Sequence, residues 1–287
     1  MSEVNSRADV LIEALPYIQK FHGRKIVIKF GGSVMTDDQL KQSVAEDIVL
    51  LQYVGLKPVV VHGGGPKIAT TLEKMGISSR FVEGLRVTDE ETMEVVEMVL
   101  AGRVNKDIVN LVNRAGARAI GLSGKDGQVL RAEAHPSAER IEEDLGQVGR
   151  IASVNAQPIE LLEEKGYVPV IAPTGVDDEG ITYNMNADEV AGALAGALSV
   201  QKLIYLTDVE GIMKRDQRIS TLHTDEVSKY IDEGTIEGGM IPKAQSARDA
   251  VEKGVTKAHI IDGTQSHSLL LELLTREGIG TQIVKGN

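Results

Sequence analysis

The chain has 287 residues, a formal charge of −11 and no cysteine, which excludes disulfides, thiolate metal sites and cysteine nucleophiles. With 3% aromatics, no tryptophan and an acidic balance, it has neither the stacking platforms nor the positive field of a nucleic-acid binder. A charged N-terminus and the lack of any apolar run of roughly 20 residues predict a soluble, cytoplasmic protein with no membrane partner.

Residues 1–22 predict a helix with Val4, Ala8, Leu11, Leu15 and Ile18 on one face, interrupted by Pro16. Spacing leaves open whether that face packs on its own subunit or reaches another. Short β-branched runs then alternate with helical stretches. Strands are predicted at Lys25–Phe30, Lys57–His62, Ala117–Leu122, Val168–Ala172, Lys202–Leu206, Lys257–Ile261 and Thr281–Val284. Helices are predicted at Gln39–Tyr53, Pro66–Met75, Glu90–Ala101, Ala156–Lys165, Asn186–Leu198, Pro242–Lys253 and Ser266–Arg276. Two stretches break the rhythm: Gln128–Val154 reads as a hairpin excursion, and Val176–Asn184 as a second hairpin turning at Glu179–Gly180. Continuous apolar strands with helices between them are parallel strands covered on both faces. The fold class is therefore α/β: a doubly wound, mainly parallel open sheet sandwiched by helices, in two lobes, 23–183 and 184–287.

The strongest local signal is Lys29-Phe30-Gly31-Gly32-Ser33 at the end of the first strand. Two glycines there turn backbone N–H groups toward an oxyanion. A second turn, His62-Gly63-Gly64-Gly65-Pro66, follows the second strand, with proline suited to the next helix's first turn. Paired glycine turns at neighbouring strand ends make a crevice lined with amide donors, fit for a phosphorylated or carboxylated ligand. Familiar alternatives fail. In Gly121–Gly127 (GLSGKDG) the Gly-Lys pair is followed by Asp126, and position 119 is alanine, so it is no P-loop; no GxGxxG follows a strand. The six histidines show no metal-ligand spacing, so no protein metal site is expected and His62 reads as structural. Arg86 offers a bidentate fork to a carboxylate. Asn186 suits a helix N-cap, Asp188 complements the dipole in the first turn, and Asn184 is available to a ligand. Lys243 follows Gly238, Gly239 and Pro242 at a helix start, where the dipole disfavours a cation; that points to an anion shared between them.

Taken in order, KFGGS, VVVHGGGP, GLRVT, NMNAD, YLTDVEGI and GGMIPK resemble the amino acid kinase family over nearly the whole chain, and within it the branch acting on N-acetylglutamate. The resemblance implies a phosphotransferase that moves the γ-phosphoryl group of ATP, with Mg2+, to the γ-carboxylate of N-acetyl-L-glutamate. The product would be N-acetyl-L-glutamyl 5-phosphate, in arginine biosynthesis. It also implies Lys29 and Lys243 as the catalytic, charge-stabilising lysines and Asp188 as the aspartate that orients both. Substrate would meet Gly64, Gly65, Arg86 and Asn184, with Arg86 on the α-carboxylate; ATP would meet Gly31, Gly32, Thr207, Asp208 and Gly211. Residues 23–183 would bind acetylglutamate and dimerise, and 184–287 would bind ATP. A carboxylate nucleophile is already ionised at neutral pH, so catalysis reduces to in-line positioning and charge neutralisation.

The N-terminal helix and His267–Thr281 (HSLLLELLTREGIGT) are similar to the arginine-inhibited hexameric branch. This implies a homo-oligomer, a dimer or a hexameric trimer of dimers joined by 1–22. L-arginine would be a feedback inhibitor at Tyr17, His267 and Glu277, and a nitrogen-signalling regulatory protein a further partner. Competing readings are a family member with another acceptor and a catalytically silent amino-acid- and nucleotide-binding regulator.

Overall fold

A computed structural model of the chain describes residues 3–136, 144–276 and 278–286, with side chains for all of these except 3–10 and Ser33. The strands are β1 (Lys25–Phe30), β2 (Lys57–His62), β3 (Phe81–Val82), β4 (Leu85–Arg86), β5 (Ala119–Ser123), β6 (Leu130–Ala134), β7 (Val148–Val154) and β8 (Val168–Ala172). They continue with β9 (Thr174–Val176), β10 (Thr182–Met185), β11 (Lys202–Thr207), β12 (Met213–Lys214), β13 (Gln217–Arg218), β14 (Thr221–His223), β15 (Lys257–Asp262) and β16 (Thr281–Val284). The α-helices are α1 (Glu3–Phe21), α2 (Asp38–Tyr53), α3 (Gly65–Met75), α4 (Glu90–Glu97), α5 (Asn105–Ala115), α6 (Gln157–Glu164), α7 (Ala187–Ala197), α8 (Val227–Asp232), α9 (Met240–Glu252) and α10 (Ser268–Leu274).

Eight strands form one sheet in the order β14-β16-β15-β11-β1-β2-β8-β5. The run from β15 to β5 is parallel, whereas β16 lies antiparallel to β15 and carries β14 alongside it. Side chains alternate between faces along a strand, so KIVIKF divides between two cores. Ile26, Ile28 and Phe30 join one with α2, α5 and α10; Val27 joins the other with α7 and α9. Burial on both faces is why these strands read as continuous apolar runs, each buried Val, Ile or Leu contributing roughly 1.5–3 kcal/mol. A small closed barrel, β10-β7-β6-β9, packs Leu130, Ala132, Tyr183 and Met185 into the second core.

The two predicted hairpins are halves of this barrel. The antiparallel pair β6–β7, with a register shift between Arg131 and Ala132, is joined to β9–β10 by parallel contacts. The turn of the second is held by Asp177, whose carboxylate accepts from the N–H of Glu179 and of Ile181 at 3.0 and 2.8 Å.

Three predicted elements differ. The helix expected at Glu90–Ala101 is α4 followed by a seven-residue π-helix, Met98–Val104, which continues into the unpredicted α5. The strand expected from Ala117 begins at Ala119, because Gly116 (φ 114°) ends α5 in a left-handed cap. The last helix is shortened to α10: His267 has φ 58° and Thr275 is extended. In α1, Phe21 is buried while Leu11, Ile12 and Leu15 face solvent at 73, 67 and 43% exposure. No helix among the described residues is long and apolar enough to cross a membrane.

Strand β1 sits where the sheet order reverses, with β2 on one side and β11 on the other. The carboxyl ends of these parallel strands therefore open a crevice at the switch point. Into it lead both glycine turns, tied together by the Gly63 N–H donating to the Phe30 carbonyl at 2.9 Å.

Candidate active site

At the head of the crevice one carboxylate holds two cations. Lys29 Nζ, at the end of β1, lies 2.9 Å from Asp188 Oδ1; Lys243 Nζ, in the first turns of α9, lies 3.0 Å from Asp188 Oδ2. Asp188 is delivered by the start of α7, where Asn186 caps the helix by accepting from the N–H of Asp188 at 2.8 Å. Asp188 and Lys29 are 5 and 7% exposed. Burial by itself would raise the Asp188 carboxyl, but the charges of Lys29 and Lys243 outweigh it and hold the group below the usual carboxylate range. Two ammonium groups around one carboxylate leave a net positive charge facing the crevice.

The crevice widens into a cleft of about 460 Å³ whose lining includes Lys29, Gly64, Gly65, Arg86, Asn184 and Asp188. Arg86 closes the far wall from the short ribbon β3–β4. Its guanidinium donates to Ser79 Oγ and, at 3.2 Å, to the Gly65 carbonyl, and it stacks over the Phe81 ring at 4.5 Å. Burial lowers its pKa. Asn184, on β10, donates to Thr88 Oγ1 at 3.2 Å, and Thr88 donates in turn to the Arg86 carbonyl at 2.7 Å. Thr88, fully buried, thus ties the Arg86 ribbon to the barrel. Sequence reading passed over it, although it closes the GLRVT motif.

Gly64 caps α3 with Pro66 in the following turn. A Cβ at Gly64 would stand 2.5 Å from Leu100 Cδ2, so any larger residue would push the Leu100 side chain on the π-helix aside. His62 is fully buried beneath it, with Nδ1 donating to the Gly63 carbonyl at 2.9 Å and Nε2 accepting from Asn105 Nδ2 at 3.2 Å. Burial depresses its pKa to about 4. His62 is a neutral strut. Asn105, its partner, also donates to the Val170 carbonyl at 2.9 Å, and no local sequence signal marks it.

The deciding observation is that residues 24–262 match the model of the amino acid kinase family. The chain belongs to the amino acid kinase family. It is 56% identical over 284 residues to an acetylglutamate kinase of Thermoanaerobacter pseudethanolicus, covering 98% of this chain and 94% of that protein. It is 51% identical over 295 residues to an acetylglutamate kinase of Methanocaldococcus jannaschii, covering 99 and 98%. Among solved structures it is similar to an N-acetylglutamate synthase from Neisseria gonorrhoeae complexed with coenzyme A and N-acetyl-glutamate, at 26% identity and a TM-score of 0.85. That match covers all of this chain and 64% of the synthase. Carbamate kinase from Giardia lamblia bound to AMP-PNP shares the fold, with a TM-score of 0.68 at 17% identity over 92% of this chain and 99% of that one.

The remaining residues singled out in this amino acid kinase sequence fall elsewhere. Gly31 and Gly32 follow β1, and Thr207 and Asp208 mark the end of β11, the strand beside β1; none of them lines the cleft. Gly211 is held at φ 139°, where a Cβ would stand 2.6 Å from Thr281 Oγ1. Tyr17 lines a second cavity of about 510 Å³, together with Lys202, Arg218, His259, Glu272 and Arg276. His267 is not among the residues lining that cavity. Its Nδ1 lies 2.7 Å from Asp47 Oδ1 and its backbone N–H donates to Ser43 Oγ at 2.9 Å, anchoring α10 to α2. Glu277, the third of that group, lies outside the described residues. Among the described residues, no three His, Asp or Glu side chains converge on a point that could hold a metal ion.

Proposed function

We propose that this amino acid kinase transfers the γ-phosphoryl group of ATP to the γ-carboxylate of N-acetyl-L-glutamate, a reading supported by its similarity to proteins named acetylglutamate kinase. The observation carrying the reading is the Lys29–Asp188–Lys243 bridge at the head of a cleft whose far wall presents Arg86 and Asn184. The lysines neutralise charge that spreads over the transferring group and its two flanking oxygens. Asp188 holds both ammonium groups at fixed separation, so little reorganisation accompanies reaction. Arg86 takes the substrate α-carboxylate through its planar fork, braced by Phe81 and Gly65. Asn184 donates to the same substrate, and the amides of Gly64 and Gly65 face the anion. No general base is required.

Gly31, Gly32, Thr207, Asp208 and Gly211 receive the nucleotide, so residues 184–287 carry most of the nucleotide site and 23–183 most of the amino-acid site, with Gly31, Gly32 and Asn184 crossing that division. Magnesium would travel with the phosphates, since both Asp188 oxygens already face lysines and, among the described residues, no cluster of acidic side chains forms a metal site. When bound, it supplies further neutralisation of phosphate charge. Exposed Leu11, Ile12 and Leu15 on α1 support a homo-oligomer, dimer or hexamer; L-arginine as feedback inhibitor and a cytoplasmic location belong to the same proposal and rest on the family resemblance.

The test is ADP release with Mg-ATP and, separately, N-acetyl-L-glutamate, L-glutamate, L-aspartate and UMP, each with and without L-arginine. Turnover confined to the acetylated acceptor is expected. Turnover of another acceptor would overturn the roles given to Arg86 and Asn184, and ligand binding without ADP release would make the protein a regulator.

A further inference from the structure

Asp188 is gripped at its backbone as well as at its side chain. The Asp188 carbonyl accepts from Ser246 Oγ at 2.7 Å, and the Tyr205 hydroxyl lies 3.3 Å from the same oxygen and 2.7 Å from Ser246 Oγ. Because Ser246 spends its one proton on the carbonyl, Tyr205 is the donor to Ser246. Tyr205 is fully buried and Ser246 is 7% exposed. A hydroxyl pair in such surroundings is held firmly, since leaving either group unpaired carries the full desolvation penalty.

The positions of these two hydroxyls are specific. Ser246 follows Lys243 by three residues on α9, so the two share one face of the helix. That face holds Asp188 twice, through the Lys243 ammonium on the carboxylate and the Ser246 hydroxyl on the carbonyl. Tyr205, on β11, is the direct register partner of Lys29 on β1. The network therefore joins the two helices that carry Asp188 and Lys243 to β11, the strand paired with the one that carries Lys29. Gly192 lies one turn beyond Asp188 on α7, and a Cβ there would stand 2.3 Å from Ser246 Oγ and 3.4 Å from the Tyr205 hydroxyl. Only a glycine lets α7 and α9 approach closely enough for the contact.

We infer that Tyr205 and Ser246 are positioning residues for phosphoryl transfer: they fix the first turn of α7 so that the Asp188 carboxylate presents both lysines at one separation. This rests on the proposed kinase reading. Neither residue lines the cleft, so their loss acts on the chemical step rather than on acceptor binding. Misplacing a catalytic group by a fraction of an ångström lowers turnover steeply.

The experiment measures kcat and KM for ATP and acceptor in the full-length parent, Ser246→Ala and the nearly isosteric Tyr205→Phe, with melting temperatures as the check on folding. The Ser246→Ala change is repeated in a Lys243→Ala background. The expected result is a fall in kcat on the order of tenfold for Ser246→Ala, with both KM values nearly unchanged. In the Lys243→Ala background the same change costs less than about threefold, because one of the two lysines whose placement it served, the one on its own helix, is gone. A kcat within twofold of the parent for both variants, or an equal loss in both backgrounds, overturns the inference. If the parent phosphorylates a different acceptor, the substrate reading fails while the same comparison on that acceptor still decides this one. A parent that phosphorylates nothing overturns both.

Discussion

Replacing Asp188 by asparagine tests the charge bridge most sharply. The substitution keeps shape, but an amide offers one oxygen where the carboxylate met two ammonium groups, at 2.9 and 3.0 Å. One lysine would then face an N–H donor, and Lys29, at 7% exposure, cannot find water instead. Removing one partner of a buried ion pair costs about 3–5 kcal/mol. Lys243 retains some solvent contact, with a side chain 17% exposed, which places the expected loss near about 3 kcal/mol. For a chain of this size that corresponds to a fall in melting temperature of roughly 5–10 °C. Turnover should drop on the order of 10²–10³-fold, as when an oxyanion donor is lost. The Asp188 carboxyl titrates below its ordinary range in the fold. Its stabilisation is therefore present above the unfolded value of about 3.9 and is lost as pH falls through the folded value, so parent and variant should converge in stability in acid. Calorimetry from pH 7 downward, with ADP release at pH 7, measures all three effects. A variant that melts within a degree of the parent and turns over within tenfold of it would refute the bridge as the organising element.

The other predictions follow from the same geometry. Lys29→Ala and Lys243→Ala should each reduce kcat on the order of 10²–10³-fold in the same ADP assay, with folding intact by circular dichroism. Arg86→Lys keeps the charge but loses the planar fork over Phe81, so the KM for acetylglutamate should rise on the order of tenfold or more while kcat changes less. Protonating buried His62 is disfavoured in the fold, where its pKa is about 4 against an ordinary 6.5. The unfolded chain takes up that proton first, so stability should fall as pH drops from about 6.5 toward 4, by up to about 3 kcal/mol. Urea unfolding at pH 8 and pH 5 should show His62→Gln with a correspondingly smaller pH dependence; an identical dependence would contradict the neutral strut.

Strands were legible wherever burial on both faces forces an unbroken apolar run, as in KIVIKF and KPVVVH, and the glycine turns announced where those strands end. Helix α5 was not. The π-helix at Met98–Val104 has a wider turn, which shifts the phase of the apolar stripe, so Ile108 and Val112 do not continue the period set by Met93 and Val96. Strand β14 and helix α8 are three and six residues long, too short to build a periodic pattern. Within the site, Lys29, Asp188, Arg86 and Asn184 stand in motifs a reader can see. Thr88, Asn105, Tyr205 and Ser246 join distant parts of the chain through contacts 17 to 96 positions apart, and nothing local announces such pairs. At His267, Asp47 and Ser43 on α2 meet the side chain and the backbone N–H, contacts 220 and 224 positions away that no local motif announces. Burial pushes the Asp47 carboxyl up to about 6, against the opposing pull of that same histidine.

Chemical trapping of the product tests the central claim most directly. A phosphorylated carboxylate is an acyl phosphate, which hydroxylamine converts to a hydroxamate, whereas phosphate esters do not react. Incubating the protein with Mg-ATP, N-acetyl-L-glutamate and hydroxylamine should give hydroxamate in step with ADP, and none when L-glutamate replaces the acetylated acceptor. ADP formed without hydroxamate, or equal hydroxamate from both acceptors, would contradict transfer to the carboxylate of a substrate held by Arg86 and Asn184.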